Sequence, residues 1–363
     1  MSGRLAVATL DAEARWARER YGDRSPAPPE RVMRGLAAVG TLMRAFCEEG
    51  DRVWLVRPLD PDRVATVPGL CRPQIVHGDV DQGAYAACLP WAEVPGVARR
   101  PAGPIGELWS APSIGTLQRE ANHRRVGFEI ARDLGLALDG AAWVNDPGEL
   151  EPALAALVAR RGALSPWVLK PAYSAAGRDR VRGRGVALGQ TDREAVARMC
   201  ATGGGVLEPW LARVCDYGWR GWAGASEAES RGGHELLVDG EGRFKGIAVG
   251  GVVPWELEPT ALAIGRALVA RGYRGPYTVD SFAYDDGGCV RVHACCEVNA
   301  RLSFGWVAAA LRARVAESLA IPAEAVVRLE IGRDADVPRE GATHRVVLLR
   351  PGRSDPWGAW LAW

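Results

Sequence analysis

Three clusters of side chains in this sequence are of the kinds that handle phosphate and divalent cations. Near residue 300 runs Glu297-Val298-Asn299-Ala300-Arg301, preceded in the chain by Asp280. In extended backbone alternate side chains share a face, so Glu297 and Asn299 point the same way and Asp280 on an adjacent strand can reach the same point. Carboxylate and amide oxygens suit magnesium, which keeps some of its waters and shares its other positions with substrate phosphates. The second cluster is Lys170 followed by Ser174-Ala175-Ala176-Gly177. Small side chains let backbone N–H groups approach phosphate oxygens while the ammonium neutralises charge from the side. The third, Glu208-Pro209-Trp210-Leu211, offers a carboxylate for a ribose or an exocyclic amine, with Trp210 and Leu211 as apolar walls.

The choice of cations sharpens the second cluster. Of 45 lysines and arginines only Lys170 and Lys245 are lysine. Arginine has served wherever a surface charge was enough, so a surviving lysine marks a place for a compact ammonium on a flexible stem. Lys245 lies in Gly242-Arg243-Phe244-Lys245-Gly246 and has two readings, a second cation near the reacting phosphate or carboxylate, or an exposed strand-end residue. His293 shares a strand face with Glu297 and either borders the substrate or is a buried structural histidine. Cys295 and Cys296 read as packed thiols.

These residues need strands to fix them, and the sequence supplies candidates. Trp167 to Lys170 is short, apolar and bounded by Pro166 and Pro171, as expected of a strand. A strand over 180–188, a helix over 192–199 and a strand over 205–211 follow. Residues 213–222 and 234–253 alternate like antiparallel strands about a turn at Asp239-Gly240-Glu241-Gly242, and 277–284 and 289–298 read as paired strands about Asp285-Asp286-Gly287-Gly288. Helices are expected over 118–134, 149–160, 259–271 and 304–319. Nearer the amino terminus, a helix with apolar spacing at Val32, Leu36, Val39, Leu42 and Phe46, then Gly50 and a strand over 52–57, forms an α/β unit. The Pro- and Gly-rich stretch from Pro90 to Pro112 reads as a linker, with a boundary near residue 110. The fold class expected is α/β and α+β: an N-terminal α/β domain over 1–110, a small lobe with a linker helix over 111–211, and a large lobe with a C-terminal extension over 212–363.

Bulk properties narrow the partners. A chain of 363 residues exceeds one compact core. Its net charge of +1 points to neither a nucleic-acid backbone nor an anionic membrane, which leaves small molecules as the expected partners. Eight cysteines without a Cys-x-x-Cys pair argue against a zinc ribbon or disulfide scaffold. No signal peptide is read at the amino terminus and no apolar run is long enough to cross a bilayer, so the expected location is the cytoplasm.

The order of the motifs resembles the ATP-grasp superfamily, carboxylate-amine or thiol ligase-like, over residues 115 to 320. Lys170 with Ser174, Ala175, Ala176 and Gly177 resembles its phosphate-covering loop, Glu208, Trp210 and Leu211 its adenine-binding hinge, and Asp280, Glu297 and Asn299 its magnesium ligands. Glu297 to Arg301 is close to the family's Glu-x-Asn-x-Arg signature. Residues 1–110 correspond to the α/β domain that commonly precedes the grasp. Where many members carry a second phosphate lysine, Arg124 falls nearest, and where several ligases place an arginine before the first metal carboxylate, this chain has Thr278. The resemblance implies ATP and Mg2+ as cofactors and a ligase that activates a carboxylate as an acyl phosphate for attack by an amine or other nucleophile. Arg301 and Lys245 would then be the catalytic cations. The implied partners are a small-molecule carboxylate and an amine, without nucleic acid or membrane, and a homodimer is compatible. Phosphoryl transfer to a hydroxyl, as in a kinase, and ATP binding without chemistry are the alternatives.

Overall fold

The computed structural model describes residues 3–79, 81–101, 107–174, 179–240, 242–333, 343–353 and 355–363. Its strands form a four-stranded parallel sheet and two antiparallel sheets of four and eight strands. The parallel sheet comes first and is built from short strands: β1 Leu5–Val7, β2 Arg52–Trp54, β3 Gln74–Val76 and β4 Cys88–Pro90, in the order β3-β2-β1-β4. Between β1 and β2 lie α1 Ala12–Tyr21 and α2 Glu30–Gly40, and the chain continues past α2 as a 3-10 helix over Thr41–Phe46. The expected strand over 52–57 is thus only its first half. Beyond β4 the supposed linker is in part folded inward, with Trp91, Ala92 and Val97 buried and Cys88 bridged to Arg100.

After a short α3 Glu107–Ser110, the expected single helix over 118–134 is two helices, α4 Thr116–Ala121 and α5 Arg124–Asp133. Asn122 breaks the run: its Nδ2 donates to the Gln118 carbonyl at 2.7 Å and to the Ala300 carbonyl at 2.9 Å, while its Oδ1 accepts from the Ala300 amide at 3.0 Å. The second sheet then forms from β5 Ala142–Val144, β6 Pro166–Pro171, β7 Val181–Arg184 and β8 Gly205–Pro209, in the order β5-β8-β6-β7. Its two helices are α6 Pro147–Arg161 and α7 Gln190–Ala201, α6 being started by a capping box between Asp146 and Glu149. Leu150, Leu154, Trp167, Leu169 and Leu207 fill the space between sheet and helices.

The eight-stranded sheet carries the order β13-β12-β9-β10-β11-β14-β16-β15. Its strands are β9 Ala212–Ala223, β10 Ala228–Val238, β11 Phe244–Val249, β12 Gly275–Asp286, β13 Cys289–Asn299, β14 Val327–Gly332, β15 Arg345–Leu349 and β16 Gly358–Ala362. The hairpin of β12 and β13 turns at Gly287 and Gly288, whose φ of 68° and 91° are the left-handed values such a turn requires. Helices α8 Leu257–Ala270 and α9 Phe304–Val315 complete the architecture, and α9 ends four residues before the expected 319. One hydrophobic core joins β1 and β2 through Leu5, Val7 and Val53 to α9 and β14–β16 through Leu311, Leu329 and Leu361. A buried arginine fastens that junction: Arg44 donates to the Ala65 carbonyl at 2.7 Å and to the Leu348 carbonyl at 3.2 Å. Among the described residues no helix is long and apolar enough to cross a membrane.

Candidate active site

Asp280 and Glu297 sit directly opposite each other in the β12–β13 ladder, and Asn299 faces Thr278 at the next position on the same side of the ladder. The Asn299 amide donates to Asp280 Oδ2 at 2.9 Å. Burial, with Glu297 as a neighbouring like charge, raises the Asp280 carboxyl to about 8. Ionising Asp280 beside Glu297, which is one-third exposed and paired with Arg124, is costly unless a further cation joins the two carboxylates. Among the described residues no group of three or more His, Cys, Asp and Glu is arranged to hold a metal ion, so the oxygen-rich locus is these two acids and one amide. That donor set fits a hard cation and does not fit zinc.

Facing them are cations carried by α5 and by the antiparallel four-stranded sheet. Arg124, the first residue of α5, donates through one guanidinium nitrogen to the Pro171 carbonyl at 2.5 Å and to Ser174 Oγ at 3.1 Å, and through the other to Glu297 Oε1 at 2.7 Å. Its side chain is 9 % exposed. Lys170, near the end of β6, is ion-paired with Glu208 on β8, and its Nζ donates to Cys296 Sγ at 3.4 Å. Desolvation pulls the Lys170 ammonium down, but Cys296 and Glu208 outweigh it and the net shift is upward. For Glu208 desolvation pushes up, Lys170 pulls down, and the carboxyl ends below its usual range. Each partner thereby keeps its charge.

Arg124, Lys170, Ser174, Asp280, Glu297, Asn299 and Arg301 all line one cleft of about 280 Å³. Other expected residues fall elsewhere. Glu208 stands behind the cleft as the partner of Lys170, and Trp210 lies beneath Arg180 and Arg182 at 5.1 and 4.6 Å. Neither they nor Leu211 line it. Lys245 is also absent from its lining and pairs with Asp239 across the β10–β11 turn at 3.7 Å. Ala175, Ala176 and Gly177 lie outside the described residues. Arg301 lines the cleft with its charge already engaged: Nε donates to Glu13 Oε1 at 2.7 Å and a terminal nitrogen to the same oxygen at 2.5 Å.

The structure also adds residues that the motifs did not point to. Arg213 at the start of β9 pairs with Asp216 at 2.5 Å, donates to Cys296 Sγ at 3.5 Å and stacks on Phe282 at 4.0 Å. Cys296 is therefore a cleft residue between two cations, not a thiol merely packed in the core. The run Arg213-x-x-Asp216 after a strand end carried no signal by itself. His234 lines the cleft wedged between two glycines, where a Cβ on Gly218 or Gly305 would collide with its ring. Burial lowers its pKa to about 3. His293 is buried, 4 % exposed and edge-on to Phe282 at 5.0 Å, with its Nε2 left without a hydrogen-bond partner.

Neither a protein-family model nor a curated protein matches the sequence. Solved structures do match in fold. N5-carboxyaminoimidazole synthetase from Staphylococcus aureus complexed with ADP aligns over 99 % of this chain and 93 % of its own, with 12 % identity and a TM-score of 0.54. Biotin carboxylase from Campylobacter jejuni aligns over 99 % and 87 %, with 12 % identity and a TM-score of 0.53. N5-carboxyaminoimidazole ribonucleotide synthetase from Thermus thermophilus aligns over 99 % and 93 %, with 16 % identity and a TM-score of 0.52. The chain has the ATP-grasp fold preceded by an α/β unit, as the order of its motifs implied.

Proposed function

We propose that this protein is an ATP-dependent ligase that activates a substrate carboxylate and joins it to an amine or another nucleophile. The observation that carries this reading is the cleft itself, where Asp280, Glu297 and Asn299 face Lys170, Arg124 and Ser174. Asp280, Glu297 and Asn299 would hold Mg2+, which supplies charge neutralisation at the ATP phosphates. Lys170 and Arg124, fixed by Glu208 and by the Pro171 carbonyl, orient the terminal phosphates. A carboxylate oxygen of the substrate attacks the γ-phosphorus, the bond from that phosphorus to the β–γ bridging oxygen breaks, and ADP leaves. The amine nitrogen then attacks the acyl carbon, the carbon–oxygen bond to phosphate breaks, and the amine's proton passes to solvent. Positioning and charge stabilisation do the catalysis, and no side chain forms a covalent bond.

Arg301 and Lys245 take different roles from those the resemblance implied. Arg301 positions the signature segment through Glu13, and Lys245 secures a hairpin through Asp239. The division into 1–110, 111–211 and 212–363 is part of the same proposal, supported by three sheets whose strands fall within those ranges.

The test supplies the protein with Mg-ATP and pools of small acids and amines and follows ADP release together with a new amide. Asn299→Ala and Glu297→Gln are expected to lower turnover by about 100-fold or more, the range for losing one group that stabilises transition-state charge, without a matching loss of melting temperature. Release of AMP and pyrophosphate alone, or unchanged turnover in either variant, would overturn the proposal.

A further inference from the structure

The cleft has two unlike ends. At one, the hydrogen bonds described above tie Arg124, Ser174 and Glu297 together beside Lys170 and Asp280. At the other, the apolar side chains that border the same space include Leu10, Leu36, Trp91, Leu236, Phe244 and Phe304. They arrive from separate parts of the chain, three from residues 1–110 and three from the eight-stranded sheet and α9. The Trp91 and Phe304 rings are 5.0 Å apart at 52°, and Phe304 lies 5.4 Å from Phe244 at 21°, nearly parallel. All six belong to, or pack on, the core shared by the parallel sheet and the C-terminal strands. Leu36, Leu236, Phe244 and Phe304 nevertheless keep part of their surface uncovered. Apolar surface held open within a cleft is what an apolar group of a ligand covers.

Polar groups mark where the two ends meet. The Thr278 and Ser303 hydroxyls are hydrogen-bonded at 2.8 Å, and the Glu13–Arg301 pair lies beside them, the guanidinium 5.7 Å from the Trp91 ring. Arg301 borders this apolar cluster at Trp91, and Glu13 engages it. A phosphorylated sugar would need an uncommitted cation here, since an unpaired anion against apolar walls is strongly disfavoured.

We propose that the acceptor substrate is a small molecule with an apolar side group about as large as a leucine or phenylalanine side chain. That group sits among these six residues, and its amine reaches the Thr278 and Ser303 hydroxyls and the Glu13 carboxylate. This assignment names the substrate class of the ligase site and rests on that reading. Leu36 and Phe304 are its specificity-determining residues.

The experiment is saturation-transfer NMR on the full chain with Mg-ADP, using L-leucine, L-phenylalanine and ribose 5-phosphate as probes. The side-chain protons of the two amino acids are expected to saturate, and ribose 5-phosphate is expected not to displace them. Phe304→Ala and Leu36→Ser should each weaken amino-acid binding about ten-fold or more, the discrimination an apolar pocket supplies, while Mg-ADP binding stays unchanged. Phe304 also packs on Trp91 and Phe244, so the half-buried Leu36 provides the variant least coupled to folding, with thermal melting as the check. Tighter binding of ribose 5-phosphate than of either amino acid, or unchanged affinity in a folded Leu36→Ser, would overturn the inference. Mg-ADP that binds while neither amino acid does removes this inference alone, whereas failure of Mg-ADP to bind removes the ligase reading.

Discussion

Arg301 shows what a residue's neighbours do to a role suggested by its motif. Within Glu297–Arg301 it stands where a catalytic arginine would stabilise an acyl phosphate, but two of its guanidinium nitrogens point at one Glu13 oxygen and a third donates to the Leu302 carbonyl at 2.9 Å. Both side chains are about one-tenth exposed, so removing either partner strands a buried charge. Glu13→Ala and Arg301→Ala are each expected to cost about 3 kcal/mol of stability, and the double variant far less than the sum, because the second deletion removes the charge the first left unpaired. Urea denaturation of the four proteins in a double-mutant cycle measures this, and additive losses would show that the pair does not act as a unit. Asp280, Glu297 and Asn299 were legible because strand periodicity and a short segment place them together. Glu13 was not, because its partner is 288 residues away and nothing local marks a glutamate in the first turn of a helix as buried. Lys170, singled out by its rarity, does line the cleft, but its pairing with Glu208 was not legible, since that depends on β6 lying beside β8.

Among the elements, the break between α4 and α5 does most for the site. Continuous helical spacing over 118–134 predicts one helix, yet Asn122 leaves the run and grips the peptide of Ala300 from both sides. Ala300 lies between Asn299 and Arg301, so this contact ties the start of α5, and Arg124 with it, to the signature segment. Asn is only mildly unfavourable inside a helix, and a break that depends on a distant backbone partner leaves no local sign. The C-terminal strands were missed for a related reason: β14, β15 and β16 are short and gain their place by extending a sheet begun more than a hundred residues earlier. The longer β12 and β13, with Gly287 and Gly288 at the turn, carried enough local pattern to be read within two residues. Asn122→Ala removes both bonds to Ala300 and is expected to raise hydrogen exchange of its amide at least about ten-fold, the equivalent of one hydrogen bond's net worth. Exchange followed by mass spectrometry on peptides covering 297–303 reads this out. Protection equal to that of the unaltered protein would mean that β13 alone fixes the segment.

For the molecule as a whole, burial of ionisable groups sets how stability responds to acid. Three of the five histidines are buried and neutral: His123 and His293 are lowered to about 4 and His234 to about 3, in each case chiefly by desolvation. An unfolded histidine titrates near 6.5. As pH falls from about 6.5 toward 4, the unfolded chain therefore takes up to three protons that the folded chain refuses, and by linkage stability falls. Asp280 acts in the opposite sense. Its carboxyl is raised to about 8 from 3.8, so between those values the folded chain holds a proton that the unfolded chain lacks. That contribution is fully present below 3.8 and is lost as pH rises through about 8. Without ligand, stability should thus rise as pH drops from 8 toward 6.5, pass through a maximum there, and then decline with a net uptake of about two protons, each worth about 1.4 kcal/mol per pH unit. Urea denaturation midpoints measured from pH 5 to pH 8 in ligand-free protein test the shape. His123→Gln, which replaces one buried neutral ring with a group that does not titrate, should reduce the acid-side slope by one proton. A slope that stays the same in this variant, or a stability maximum below pH 5, would show that the buried rings are not what limits the protein in acid.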